Sequence, residues 1–205
     1  MTHPFTQAIE ERRTTNLFDA TRSIDDETIR ELVRMATTAP TSFNLQNWRF
    51  IAARTAEAKL RLRKLAWDQA KVSEAAVTFI VCGQLADHRA MADRLGPAVE
   101  AGIMPAAMVP GWEGAAKSLY HEQPQRQCDE AIRTATFGAG TLIYAAQAMG
   151  LGSAPMIGFD AQAVAEEFAL ASDEIPVLLL AVGYATPENW PRKPRRPLSQ
   201  VLQLI

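Results

Sequence analysis

The sequence predicts an α/β or α+β domain, and three observations carry that reading. Helical periodicity recurs along much of the chain. Two continuous apolar runs rich in β-branched residues, Val77–Gly83 and Pro176–Tyr184, read as buried strands. Between them Asp129–Met149 is apolar around much of its helical surface, as a helix buried on several sides must be. Strands separated by helices give a sheet with helices packed on it.

The elements follow in order. Phe5–Arg13 reads as a short helix with Phe5, Ala8 and Ile9 on one face. Asp25 is placed to cap a second helix, with Ile29, Leu32, Val33 and Ala36 at helical spacing. That helix stops before Pro40, because the residue ahead of a proline disfavours helical angles. Ala39–Trp48 is a polar loop, Arg49–Ala53 a short strand and Glu57–Ser73 a helix. Residues 86–126 contain several prolines and glycines together with Met91, Met104, Met108 and Trp112. They read as an excursion with short helices, since a compact domain seldom keeps so long a structureless segment. Gly150 ends the long helix where left-handed geometry is wanted. Ala161–Phe168 is a further helix, with Asp160 as its cap. The tail after Thr186 is proline-rich and basic, then apolar over Val201–Ile205, and an apolar end needs a surface to cover it.

Composition bounds the rest. The 205 residues suit a single domain, 1–205, with 48% hydrophobic and 21% charged residues. A formal net charge of -2 argues against nucleic acid as the main partner. Cys82 and Cys128 are too far apart in sequence to form a metal motif and fit a reducing cytoplasm. Met1-Thr2-His3-Pro4 lacks a basic region followed by an apolar stretch, so no signal peptide is expected. No apolar run approaches the roughly 20 residues that span a bilayer, so no membrane partner is expected.

Four segments could carry chemistry. Arg12-Arg13-Thr14-Thr15-Asn16 pairs guanidinium groups with hydroxyls, which suits a phosphate but also describes an ordinary solvated helix end. Ala39–Trp48, with Pro40, Thr41, Ser42, Asn44 and Gln46, interleaves short donors and acceptors that could read a planar heterocycle. The same residues also favour loops for local reasons. Ser153–Asp160 combines a stiffening proline with a glycine that lets a ligand come near the backbone. Arg192-Lys193-Pro194-Arg195-Arg196 is a solvated basic tail, a second set of phosphate contacts, or a nucleic-acid patch.

Taken together, the four segments resemble the FMN-dependent nitroreductases, in the family's order and over roughly residues 5–201. The wording at Phe43-Asn44-Leu45-Gln46 and Pro155–Asp160 is similar to a bacterial branch linked to quinone and hydroquinone stress. The resemblance implies an α+β sandwich with a mostly antiparallel central sheet flanked by helices, assembled as an intertwined homodimer. Two FMN molecules would lie at the dimer interface, and the C-terminal tail would embrace the partner.

It also implies a set of cofactor contacts. Arg12, Arg13, Thr14 and Asn16 match the opening that holds the FMN phosphate and ribityl chain. Where this chain has Asn16 the family often has Arg or Lys, so one positive charge is missing there. Pro40, Thr41, Ser42 and Asn44 match the loop that reaches the flavin from the partner subunit, and Gln69 a position near the ring. Pro155, Met156, Ile157 and Gly158 match the turn passing the ring; some relatives carry Glu at Ile157. Lys193 and Arg195 match the tail's phosphate contacts, with Arg196 beside them. Met104, Met108, Trp112 and Tyr120 either line a substrate pocket or pack a small satellite core.

The implied activity is a ping-pong transfer of hydride equivalents from NAD(P)H to a small aromatic acceptor, a nitroaromatic or a quinone. The flavin carries such chemistry, so no catalytic triad is expected. The rival expectations are another flavin reduction on the same scaffold, such as dehalogenation or enone reduction, and a flavin sensor or store without turnover. A nucleic-acid module that uses the basic tail is a third.

Overall fold

The computed structural model describes residues 3–205, so the reading at Met1-Thr2 lies outside the described residues. Helices α1 (Pro4–Glu11) and α2 (Asp26–Ala36) open the chain, and strand β1 (Trp48–Ala53) follows. Helices α3 (Ala56–Leu65) and α4 (Ala70–Glu74) lead to strand β2 (Val77–Gln84). The excursion forms α5 (Met91–Glu100) and α6 (Val109–Tyr120). The long helix α7 (Pro124–Ala148), strand β3 (Gly152–Met156), α8 (Ala161–Glu167) and strand β4 (Glu174–Gly183) complete the core.

The four strands form one sheet in the order β1-β2-β4-β3, and every neighbouring pair is antiparallel. Successive side chains of a strand point to opposite faces, and β2 shows the consequence. Val77, Phe79 and Val81 enter a core with Leu32 and Ala36 of α2 and Ala135, Ala139 and Leu142 of α7. Ile80 and Cys82 enter a second core with Leu62 of α3, Val72 of α4 and Val164 of α8. The sheet is therefore covered on both faces, which explains why β2 and β4 are apolar at consecutive positions. Helix α7 lies against β2 so closely that a Cβ on Gly83 would sit 2.1 Å from the Ala131 carbonyl oxygen. A third, smaller core joins Leu45 to Ala86, Met91, Leu95, Ala116 and Tyr120 of the excursion.

The expected caps hold: Asp25 accepts from the Thr28 backbone N–H at 2.8 Å and Asp160 from that of Ala163 at 3.0 Å. Gly150 has φ 72°, the left-handed turn after α7.

Three expectations need correction. The single helix over 57–73 is two helices, because Trp67 and Asp68 adopt φ of 52° and 55° and turn the chain between them. Helix α7 begins five residues earlier than the apolar pattern does, with Pro124 in the first turn, where its missing N–H costs nothing. The segment after Gly150, read as a turn, begins as strand β3. Pro155 disguised it; proline is tolerated on a sheet edge, and β3 is the last strand.

Candidate cofactor site

Beyond β3 the sheet gains a short parallel neighbour. Thr14 bridges Ser153, and the Thr15 N–H donates to the Ser153 carbonyl at 2.9 Å. Extended backbone alternates its side chains, so residues 12–16 divide between two sides. Thr15 is buried against Gly152, where a Cβ would stand 2.3 Å from Thr15 Oγ1. Arg12, Thr14 and Asn16 face the other way.

There they meet the tail. Arg12, Thr14 and Asn16 line one cavity of about 170 Å³ together with Trp190, Arg192, Lys193 and Arg195. Ends of the chain some 180 residues apart thus converge on one polar hollow. Among the described residues no carboxylate lines it, so four cations surround the cavity without an opposing charge.

 The tail is held in place by Asn189. Its Oδ1 accepts from the backbone N–H of Asn16 at 2.7 Å and of Leu17 at 3.0 Å, and its Nδ2 donates to the carbonyls of Leu17 and Thr186. Asn189 was not singled out in the sequence, because a lone Asn in a proline-rich tail carries no local signal.

Arg13 does not join this group. It lines a separate cavity of about 360 Å³ with Glu11, Thr15 and Gln147, because the strand-like alternation turns it away. Arg196 also lies outside the cavity and donates to the Gln200 carbonyl.

A charge appears where one was missing. Lys71 of α4 extends its ammonium to Asn16 Oδ1 at 3.4 Å, and partial burial pushes its pKa down. It stands beside Asn16, where the resemblance had implied a missing positive charge. The break between α3 and α4 also aims Gln69, whose Nε2 donates to the Gly158 carbonyl at 2.8 Å. Gly158 gives close approach to a side chain of the same molecule: a Cβ there would lie 2.8 Å from the Trp67 ring. In the turn itself Met156 is buried in the second core, while Ile157 is 84% exposed. Met156 therefore offers a ligand only its backbone.

The loop at 40–46 lies elsewhere. Ser42–Asn44 form a 3₁₀ turn in which Phe43 and Asn44 have positive φ, and Thr41 Oγ1 accepts from the Gln46 N–H at 3.1 Å. Ser42 Oγ lies 2.9 Å from the Tyr120 hydroxyl, and Asn44 Nδ2 donates to the Arg94 carbonyl at 3.5 Å. This loop leads into β1, at one edge of the sheet, whereas residues 12–16 flank β3 at the other. Four interstrand steps of about 4.8 Å separate the two edges by roughly 19 Å. One chain does not bring its two groups of expected flavin contacts together.

Of the four residues in the excursion, Tyr120 and Met104 pack in the satellite core. Met108 and Trp112 are exposed, with the Trp112 ring edge-on to Phe43 at 6.3 Å between centroids. No helix of the described residues is long and apolar enough to cross a membrane, and no group of three or more His, Cys, Asp or Glu side chains is placed to hold a metal ion.

Comparison with known proteins bears on the same features. The model of the nitroreductase family matches residues 9–184. Protein DrgA of Synechocystis is 37% identical over 188 residues, covering 92% of this chain and 87% of its own. A protein of Thermus thermophilus named NADH dehydrogenase is 32% identical, covering 85% and 83%. Among solved structures, YdfN of Bacillus subtilis superposes with a TM-score of 0.92 at 27% identity, covering 98% of this chain and 99% of its own. A protein of Exiguobacterium sibiricum solved in complex with FMN gives 0.91 at 26%, covering 100% and 99%. With its antiparallel sheet between two helical layers and this extent of sequence match, the chain belongs to the nitroreductase family.

Proposed function

We propose that the protein binds FMN and uses it to pass hydride equivalents from NAD(P)H to a small aromatic acceptor, a quinone or a nitroaromatic. The observation that carries this reading is the cavity shared by Arg12, Thr14, Asn16, Lys193 and Arg195. Guanidinium and ammonium groups beside a hydroxyl are the donor set of a phosphate site. The cavity's volume of about 170 Å³ suits the phosphate end of the cofactor and is too small for all of it, since small-molecule sites span roughly 300–1,000 Å³. The family match and the FMN complex of the Exiguobacterium relative support the same cofactor.

When bound, FMN supplies the two-electron chemistry, and the chain supplies binding and electrostatics. Arg12, Lys193 and Arg195 neutralise the phosphate, and Thr14 completes its shell. Lys71 and Asn16 place positive charge and a polar amide next to that end. Gln69 fixes the Gly158 carbonyl, and so the course of Pro155–Gly158 along the ring. Ile157, being apolar, leaves recognition there to the backbone. Arg13 and Arg196 stand apart from the cavity and do not contact the phosphate from this chain.

The distance between the 12–16 segment and the 40–46 loop supports a homodimer, in which Pro40, Thr41, Ser42 and Asn44 of one chain complete the site of the other. The exposed apolar tail, Leu198 and Val201–Ile205, supplies the surface for such an embrace. Met108 and Trp112 then stand at the acceptor side, with Met104 and Tyr120 supporting them from the satellite core. The test is steady-state kinetics of the FMN-loaded protein with NADH and NADPH across quinones and nitroaromatics. Parallel double-reciprocal lines with at least one acceptor are expected. Tight FMN binding without NAD(P)H oxidation would overturn the reading in favour of a flavin sensor or store.

A further inference from the structure

Ser42 is tied into the molecule by a chain of polar groups that phosphate binding and hydride transfer do not require. Its Oγ lies 2.9 Å from the Tyr120 hydroxyl, and that hydroxyl lies 3.2 Å from Glu130 Oε2. The Glu130 side chain is only 7% exposed and is ion-paired with Arg133. Thr134 Oγ1 donates to its other oxygen at 3.4 Å. Tyr120 is buried among Leu45, Ala86, Met91 and Leu95. Ser42, Tyr120, Glu130 and Arg133 share one cavity of about 370 Å³, so the serine faces a space that a ligand can enter.

Counting protons fixes the direction of this chain. A carboxylate paired with arginine only accepts hydrogen bonds. The hydrogen between Tyr120 and Glu130 is therefore the tyrosine's own, and a phenol has just one. Burial pushes the Tyr120 pKa up, so the phenol keeps that proton. Its oxygen must then accept from Ser42, and the serine's one proton is spent on Tyr120. Towards anything outside, Ser42 can only accept.

We infer that Arg133 and Glu130, acting through Tyr120, set the Ser42 hydroxyl as a hydrogen-bond acceptor for bound FMN, so that the loop selects an N–H or O–H group of the cofactor. The inference rests on the FMN reading given above. Tyr120 and Glu130 are positioning residues, since they act on the cofactor only through Ser42. Without them the serine could rotate and donate, and the many acceptor atoms of a flavin would reward the wrong orientation.

The test is FMN affinity, read from quenching of flavin fluorescence, for the wild-type protein, Ser42→Ala, Tyr120→Phe, the double variant and Glu130→Gln. One lost hydrogen bond of about 1 kcal/mol corresponds to roughly fivefold weaker binding. Ser42→Ala and Tyr120→Phe are each expected to bind FMN about fivefold more weakly. The double variant is expected to be no weaker than Ser42→Ala, because Tyr120 has nothing to act through once the hydroxyl is gone. Glu130→Gln, which can donate to Tyr120 and so reverse the chain, is expected to weaken FMN to the same degree. Effects that multiply in the double variant, or Tyr120→Phe and Glu130→Gln binding like the wild type, would overturn the inference and leave the FMN reading standing. A wild-type protein that takes up no FMN would overturn both.

Discussion

The side-chain oxygen of Asn189 accepts a hydrogen bond of 2.7 Å from the backbone N–H of Asn16. With its three companion bonds to Leu17 and Thr186, this contact fixes the basic tail against the first extended segment. Asn189→Ala removes all four and leaves two N–H groups without their acceptor. At roughly 0.5–1.5 kcal/mol for each of the four bonds, a loss of at least about 2 kcal/mol is expected, seen as a Tm lower by several degrees in a thermal melt. FMN affinity should fall with it, and an unchanged melt would count against the role given to this contact.

The division of residues 12–16 between two sides predicts unequal arginines. Arg12→Ala and Lys193→Ala each remove a charged donor from the cavity, and charge-assisted bonds contribute about 1.5–3 kcal/mol. FMN binding should weaken at least about tenfold in each. Binding of riboflavin, which has no phosphate, should barely change. Arg13→Ala should change FMN affinity by much less than Arg12→Ala. Equal effects of the two arginines, compared by fluorescence titration, would show that the alternation is not what organises the site.

Leu198, Val201, Leu202, Leu204 and Ile205 are all exposed in the single chain. If the proposed homodimer is held by this tail, removing residues 198–205 should shift it towards monomer in light scattering coupled to size-exclusion chromatography. It should weaken FMN binding as well, because the loop at 40–46 then has no partner site to complete. A truncated protein that remains a dimer with unchanged affinity would contradict the embrace.

Cys82 of β2 is buried in the second core, and that burial, reinforced by the nearby Glu174 carboxylate, pushes its thiol up to about 12 from 9.0. Because the folded pKa is raised, the thiol's contribution to stability is fully present below about pH 9 and is lost as pH rises towards 12. Between pH 9 and 10 the loss from this one group is about 1 kcal/mol. Denaturant titrations should show a shallower decline over that range in Cys82→Ala. An equal decline would place the titrating group elsewhere.

The sequence revealed the buried strands and the long helix because their apolar patterns are continuous, and it revealed the helix caps because Asp25 and Asp160 sit just before helical periods. It concealed β3, since Pro155 disguises an edge strand, and it concealed the turn at Trp67-Asp68, where left-handed geometry falls on residues that do not advertise it. The residues of the proposed phosphate end were legible as residue types. Which arginine faces the cavity was not, because that depends on the backbone being extended at 12–16 rather than helical. Lys71 and Asn189 escaped for another reason: each acts across a long separation in sequence, on Asn16, and neither stands in a local motif.

The central claim is that the cavity between Arg12 and Lys193 holds the phosphate of a working FMN. An anaerobic titration of the purified protein with FMN, followed by addition of NADH or NADPH, tests it most directly. The account predicts saturable quenching of flavin fluorescence, then bleaching of the bound flavin's absorbance by at least one nicotinamide, with colour restored by a quinone or nitroaromatic. No quenching, or quenching without any bleaching, would contradict it.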